Sequence, residues 1–287
     1  MPFFLTKMEV AQNILQAEHK WKECLVSYIR YIYQNTWLPS HDEWHSIRVW
    51  EFAKALLIDL EKNRISFPYE EIEELIIASF FHDSGMSVTL EPEHGKYSRQ
   101  ICDEFLVKKN KIAPSRKYKI LDAIELHDDK SYQKTAFLNQ KGILALLCLA
   151  DDMDAYGRIG IYRFWEINTL RNIPIDNMSL KVINSLDSRM KYFSSIYPFR
   201  NNFYNLQYER NKITLDFYKL LEKENKSGNQ PGKTSYAMKI IHHFNDLIIK
   251  QKIHPEQIFS IVKHKENSKN VINFFNTFNH EFSGFQD

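Results

Sequence analysis

The chain has 287 residues, 44% of them hydrophobic and 26% charged, with a formal net charge of +2. That is enough chain to bury one large or two modest cores, and a pI of ≈ 8.2 gives no footing for a nucleic-acid or membrane-surface protein. The longest apolar runs, "LIIASFF" and "ILALLCLA", fall far short of the roughly 20 residues that span a bilayer.

Only eight glycines, against abundant Leu, Ile, Lys and Glu, point to an all-α fold. Residues 8–35 read as a long helix with Trp21, Leu25, Tyr28 and Ile32 on one face. "TWLPS" breaks it, and Ser40 with Glu43 predicts a capping box for a helix over 41–62. Pro68 restarts the chain for a helix reaching His82. A loop with Gly85 and Pro92 leads to a helix over 93–109, and Pro114 and Ser115 introduce another ending near Asp128. After "DDKSYQKTAFLNQKG" come an apolar helix over 142–154, one from Gly160 to Leu170, and one over 177–197. Residues 201–218 alternate like a strand. "EKENKSGNQPGK", 222–233, reads as a linker or exposed loop, followed by helices over 234–250 and 255–279. The expected organisation is a helical core over 1–200 and a mostly helical extension over 201–287.

Five of these helices carry a His or Asp on the face meant for the core. His45 is followed by Val49, Phe52 and Leu56 at helical spacing, and His82 and Asp83 close the stripe of Ile72, Leu75, Ile76 and Phe80. His94 precedes Ile101 and Phe105, His127 follows Ile120 and Ile124, and Asp151 follows Leu144, Leu147 and Cys148. A single buried histidine is ordinary core chemistry. Burying several polar groups without partners costs about several kcal/mol each, so five such positions imply convergence on one partner, and a divalent cation suits this donor set. His19, His41, His242, His243, His254, His264 and His280 lack that coherence and read as surface or local-packing residues. Cys24, Cys102 and Cys148 are odd in number and far apart, as expected of reduced thiols. With no basic region followed by an apolar stretch at the N-terminus, the expected location is cytoplasmic.

The order His45, His82-Asp83, Asp151 resembles the H…HD…D signature of the HD-domain superfamily of metal-dependent phosphohydrolases. "SHDEWHSIRVW" is similar to the HDxxHxxRVW segment of its small nucleotide pyrophosphohydrolases, "ASFFHDSGM" to their HD helix end, and "LADDMDAYGRIGIYRFW" to their third motif. The resemblance covers roughly residues 20–170 and implies His45, His82, Asp83 and Asp151 as ligands of a first metal. It also implies His94 and His127 as ligands of a second, with Asp83 as the bridge. Ser84, Gly85 and Met86 stand where guanosine-tetraphosphate hydrolases carry a Glu-Asp pair and where HD-GYP enzymes carry a lysine, which counts against both.

The implied activity is phosphoester or phosphoanhydride hydrolysis by a metal-activated water, with one or two Mn²⁺, Fe²⁺ or Mg²⁺ ions. Asp83 acts at the metal, and His127 or Asp128 passes a proton to the leaving group. Arg48, Lys96, Arg99, Arg158 and Arg163 are candidate phosphate contacts, whereas Tyr156, Tyr162 and Trp165 read as core before they read as a base-stacking surface. The expected partner is a nucleotide or related small phosphoester, with no membrane partner, no strong nucleic-acid signal, and room for a homo-oligomer. Two alternatives stand beside this: a di-iron oxygenase of a small polyol or phosphonate, and a non-catalytic nucleotide sensor.

Overall fold

Apolar residues every three to four positions along Val10, Ile14, Ala17, Trp21, Leu25, Ile29 and Tyr33 give helix α1, Glu9–Tyr33, a single buried stripe. Tyr28 and Ile32 flank that stripe instead of belonging to it. A computed structural model describes residues 9–109, 112–128, 142–227 and 235–284. Helix makes up 81% of the described residues, which hold twelve α-helices and no strand. No described helix is long and apolar enough to cross a membrane.

The chain divides into two units, Met1–Asp152 and Met153–Asp287. In the first, α2 (Glu43–Lys62) starts two residues later than a Ser40 cap would put it. Asp42 is the N-cap, its side chain accepting from the Trp44 N–H at 2.9 Å, while Ser40 turns to the His41 ring. Helix α3, Tyr69–Phe81, is buried continuously from Ile72 to Phe81 and packs against α1, α2 and α5. Even Glu73 and Glu74 within that run are covered. Glu73 accepts from Trp21 Nε1 at 2.8 Å and Arg116 Nη2 at 2.9 Å and pairs with Lys20; Glu74 takes Arg116 Nε at 2.7 Å. Burial works against the Glu73 charge, but these donors outweigh it and hold the carboxyl below its usual range. A 3-10 turn, Ser84–Ser87, then leads to α4 (His94–Lys109) and α5 (Pro114–Leu126), which pack together.

Helix α6, Ile143–Asp154, carries the chain into the second unit. There α7 (Gly157–Leu170), α8 (Ile175–Ile196) and α9 (Asn202–Lys226) are followed by α10 (Tyr236–Phe244), which runs on into a π-helical turn, Asn245–Lys250. The helix expected over 255–279 is two, α11 (Ile258–Lys265) and α12 (Lys269–Ser283). They part where the Glu266 carboxylate takes the N–H groups of Asn267 and Ser268. Phe244, Phe274, Phe275 and Phe278 form an aromatic core.

The strand-like stretch 201–218 is helical. On α9 the buried face begins with the polar Gln207, Asn211 and Thr214, while the apolar Leu206, Tyr208 and Ile213 are exposed at 57%, 48% and 37%. Hydrophobic alternation there reports the solvent side. The boundary expected after residue 200 lies between α8 and α9, which pack on each other within the second unit. The linker read at 222–233 is helical as far as Lys226, and 228–234 lie outside the described residues, as do 129–141 of the loop before α6.

Candidate metal centre

Each candidate ligand is delivered by the end of a helix. His45 lies in the first turn of α2, His82 caps the C-terminus of α3, and Asp83 precedes the 3-10 turn. His94 opens α4, His127 caps α5, and Asp151 lies in the last turn of α6. All six are buried, between 0% and 7% exposed. Gly85 makes the convergence of α4 on Asp83 sterically open, since a Cβ there would sit 2.0 Å from the His94 carbonyl oxygen and 2.6 Å from the Ser98 nitrogen. The Tyr33 hydroxyl, donating to the Asp83 carbonyl at 2.7 Å, fixes the same turn from α1.

His45, His82, Asp83 and Asp151 form one group able to hold a metal, and Asp83, His94 and His127 form another. Asp83 joins them through different oxygens. Its Oδ2 lies 3.1 Å from His45 Nε2 and 3.3 Å from His82 Nε2; its Oδ1 lies 3.0 Å from His127 Nε2 and 3.3 Å from His94 Nε2. Asp151 Oδ1 lies 3.7 Å from His45 Nε2 and 3.8 Å from His82 Nε2.

Two features fit a divalent ion. His45 and His82 bring their Nε2 atoms to 3.0 Å of each other; neighbouring ligands about 2.1 Å from a shared ion sit about 3 Å apart. The second feature is the outer support of the rings. His82, His94 and His127 each set Nδ1 against the carbonyl three residues earlier, at 2.9 Å to Ser79, 2.9 Å to Glu91 and 2.7 Å to Ile124. A carbonyl only accepts, so Nδ1 carries the proton in each and Nε2 is left to ligate, the usual support of a metal-binding histidine.

The charges agree. Burial opposes protonation of His82, but Asp83 and Asp151 outweigh it and push the imidazole up to about 10. Burial likewise opposes the Asp83 charge, yet the surrounding imidazoles hold its carboxyl well below the usual range. The centre therefore demands positive charge, and a proton and a metal compete to supply it. A raised folded-state value makes protonated His82 stabilising below the ordinary histidine range of about 6.5, an effect that fades as pH rises through about 10. Metal binding to the apoprotein is thus expected to release a proton between pH 7 and 9, and affinity is expected to climb with pH over that window. Calorimetry of Mn²⁺ binding in two buffers of different ionisation enthalpy measures this; identical heats in both would show that His82 is already neutral.

Other predicted residues have different surroundings. Arg48 is buried on α2, and Lys96 and Asp128 are exposed. Arg99 pairs with Asp122 and Glu125. Arg158 and Arg163 belong to the second unit, where Arg158 pairs with Glu281 at 2.8 Å and Arg163 with Asp154 at 3.2 Å. Tyr156, Tyr162 and Trp165 are buried, as the core reading expects.

Sequence reasoning passed over one residue. His41 is buried, its ring centroid 5.2 Å from that of His45 and its Nε2 4.0 Å from Asp83 Oδ2. Its Nδ1 lies 2.6 Å from the Ser40 hydroxyl. Helical phase carries no signal for it, because His41 precedes the Asp42 N-cap and lies outside α2.

Residues 44–159 match the family model described as HD domain. No curated protein and no solved structure matches the chain.

Proposed function

Because residues 44–159 belong to the HD-domain family, largely metal-dependent hydrolases, we propose that this chain is a phosphohydrolase acting on a nucleotide or related phosphorylated small molecule. The observation that carries the reading is Asp83, whose two carboxylate oxygens face two separate sets of imidazole nitrogens. His45, His82 and Asp151 with Asp83 Oδ2 would hold one ion; His94 and His127 with Asp83 Oδ1 would hold a second. Bound there, Mn²⁺, Fe²⁺ or Mg²⁺ would lower the pKa of water from about 15.7 towards about 7 and neutralise phosphoryl charge.

The side chains do the rest. Nδ1–H bonds to carbonyls keep the rings of His82, His94 and His127 from turning, so no reorganisation is needed on binding. The Ser40 hydroxyl, 2.6 Å from His41 Nδ1, can donate there; in that tautomer His41 would carry its proton on Nε2, 4.0 Å from Asp83 Oδ2, and could pass it to a departing oxygen. His127 Nε2 and the exposed Asp128 are the other proton carriers of this reading. Lys96, two residues after His94 and exposed, is the cation best able to meet a substrate phosphate.

Elemental analysis of the purified protein, combined with a nucleotide hydrolysis panel in Mn²⁺, tests this reading. Two metals per chain and Mn²⁺-dependent release of phosphate, pyrophosphate or nucleoside monophosphate are expected. Two tightly held irons, inertness towards every phosphoester and oxygen consumption with a polyol would replace it with the oxygenase reading, which draws on the same bridging carboxylate.

A further inference from the structure

We infer that Glu281 and Arg210, from the last third of the chain, are positioning residues for the metal ligand Asp151. The inference rests on the metal-centre reading above. Asp151 lies in the last turn of α6, two residues before Met153 and six before Gly157, where α7 begins. Between the two helices, Ala155 and Tyr156 form an elbow, followed by Gly157 at φ +79. A helix C-terminus and a helix N-terminus meet there, each leaving backbone groups without intrahelical partners.

Long side chains from distant helices satisfy those groups. Arg210 of α9 donates through Nη1 to the Met153 carbonyl at 3.0 Å and through Nη2 to the Tyr156 carbonyl at 3.1 Å. Glu281 of α12 accepts through Oε2 from the Arg158 N–H at 2.7 Å and the Ile159 N–H at 3.4 Å, and through Oε1 from Arg158 Nη1 at 2.8 Å. A carboxylate at the positive end of α7 is favourably placed. The Thr214 hydroxyl donates to the Gly157 carbonyl at 2.8 Å, and Arg163 pairs with Asp154, the last residue of α6.

The steric fit is equally close. A Cβ on Gly157 would approach Glu281 Oε2 to 2.8 Å, and one on Gly160 would approach the Ala155 oxygen to 2.0 Å. A side chain at either glycine would therefore displace groups of α9 or α12 that pack around residues 153–160. Because α6 is one uninterrupted helix, the direction in which Asp151 points depends on how its end is held. Arg158 is in this account an elbow residue, its guanidinium committed to Glu281.

The test is calorimetric titration of Mn²⁺ alone into apo forms of the full chain: wild type, Glu281→Gln, Thr214→Val and Glu266→Gln. Glu266 holds Lys239, His243 and the start of α12 but does not touch the elbow, so its variant controls for general loss of stability. Glu281→Gln is expected to weaken Mn²⁺ binding by about tenfold, the lower end of the range for supporting residues. Thr214→Val, the milder change should Glu281→Gln fold poorly, is expected to weaken it less. Glu266→Gln is expected to lower the melting temperature with wild-type Mn²⁺ affinity. Wild-type affinity in both elbow variants would overturn the inference while leaving the metal centre standing, as would equal losses in Glu281→Gln and Glu266→Gln. A wild type that takes up no Mn²⁺ would instead remove the reading beneath it.

Discussion

Asp83→Ala is expected to empty the protein of metal and abolish hydrolysis while the helical content stays. No other candidate ligand belongs to both metal-binding groups. Without it, His45 and His82 lose the carboxylate at 3.1 Å and 3.3 Å, and His127 and His94 the one at 3.0 Å and 3.3 Å. The charge that attracts a cation goes too, so the upward pull on His82 weakens and burial favours its neutral form. The fold should tolerate the loss at about 1–3 kcal/mol, the range for leaving buried polar partners unsatisfied, because the α1–α3 packing does not involve this side chain. Asp83→Asn separates charge from shape: it keeps the volume and should still fail to bind metal. Elemental analysis and circular dichroism of both variants are the measurements, and a metal content equal to wild type in Asp83→Ala would refute the site.

His41→Ala is expected to lower kcat by about 10²–10⁴-fold, the usual worth of a positioned proton donor, with metal content unchanged. The distances separate His41 from the ligands. Its Nε2 is 4.0 Å from Asp83 Oδ2, whereas His45 and His82 approach the same oxygen to 3.1 Å and 3.3 Å. Its Nδ1 faces a side-chain hydroxyl instead of the backbone carbonyls that support the His82, His94 and His127 rings. Measuring kcat beside metal stoichiometry separates the outcomes. Loss of metal would make His41 a ligand or its support, and full activity would return the proton to His127 or Asp128.

Helical phase finds the six buried His and Asp residues of the cluster because burial is a local property: three to four residues away on the same helix, apolar neighbours declare which face turns inward. The same logic fails on α9, where the inward face is Gln207, Asn211 and Thr214 and the exposed apolar residues imitate a strand. It also stops short of His41, because the apolar stripe of α2 opens at His45. The cap itself lies at Asp42, so His41 stands just before the first turn, and only packing shows that its ring reaches the cluster.

The chain order of His45, His82-Asp83, His94, His127 and Asp151, each on an apolar stripe, is enough by itself to specify an all-helical protein with a buried polar centre suited to a cation. Which cations stay available to a substrate is decided only in three dimensions. Arg99 is committed to residues more than twenty positions away and Arg158 to Glu281, 123 positions away. Nothing local to an arginine names the carboxylate that will neutralise it, because ion pairing depends on which helix surfaces meet. The division of Asp83 between two imidazole sets is likewise a tertiary fact. A sequence can send a carboxylate inward, but only the crossing of five helix ends determines what each of its oxygens meets.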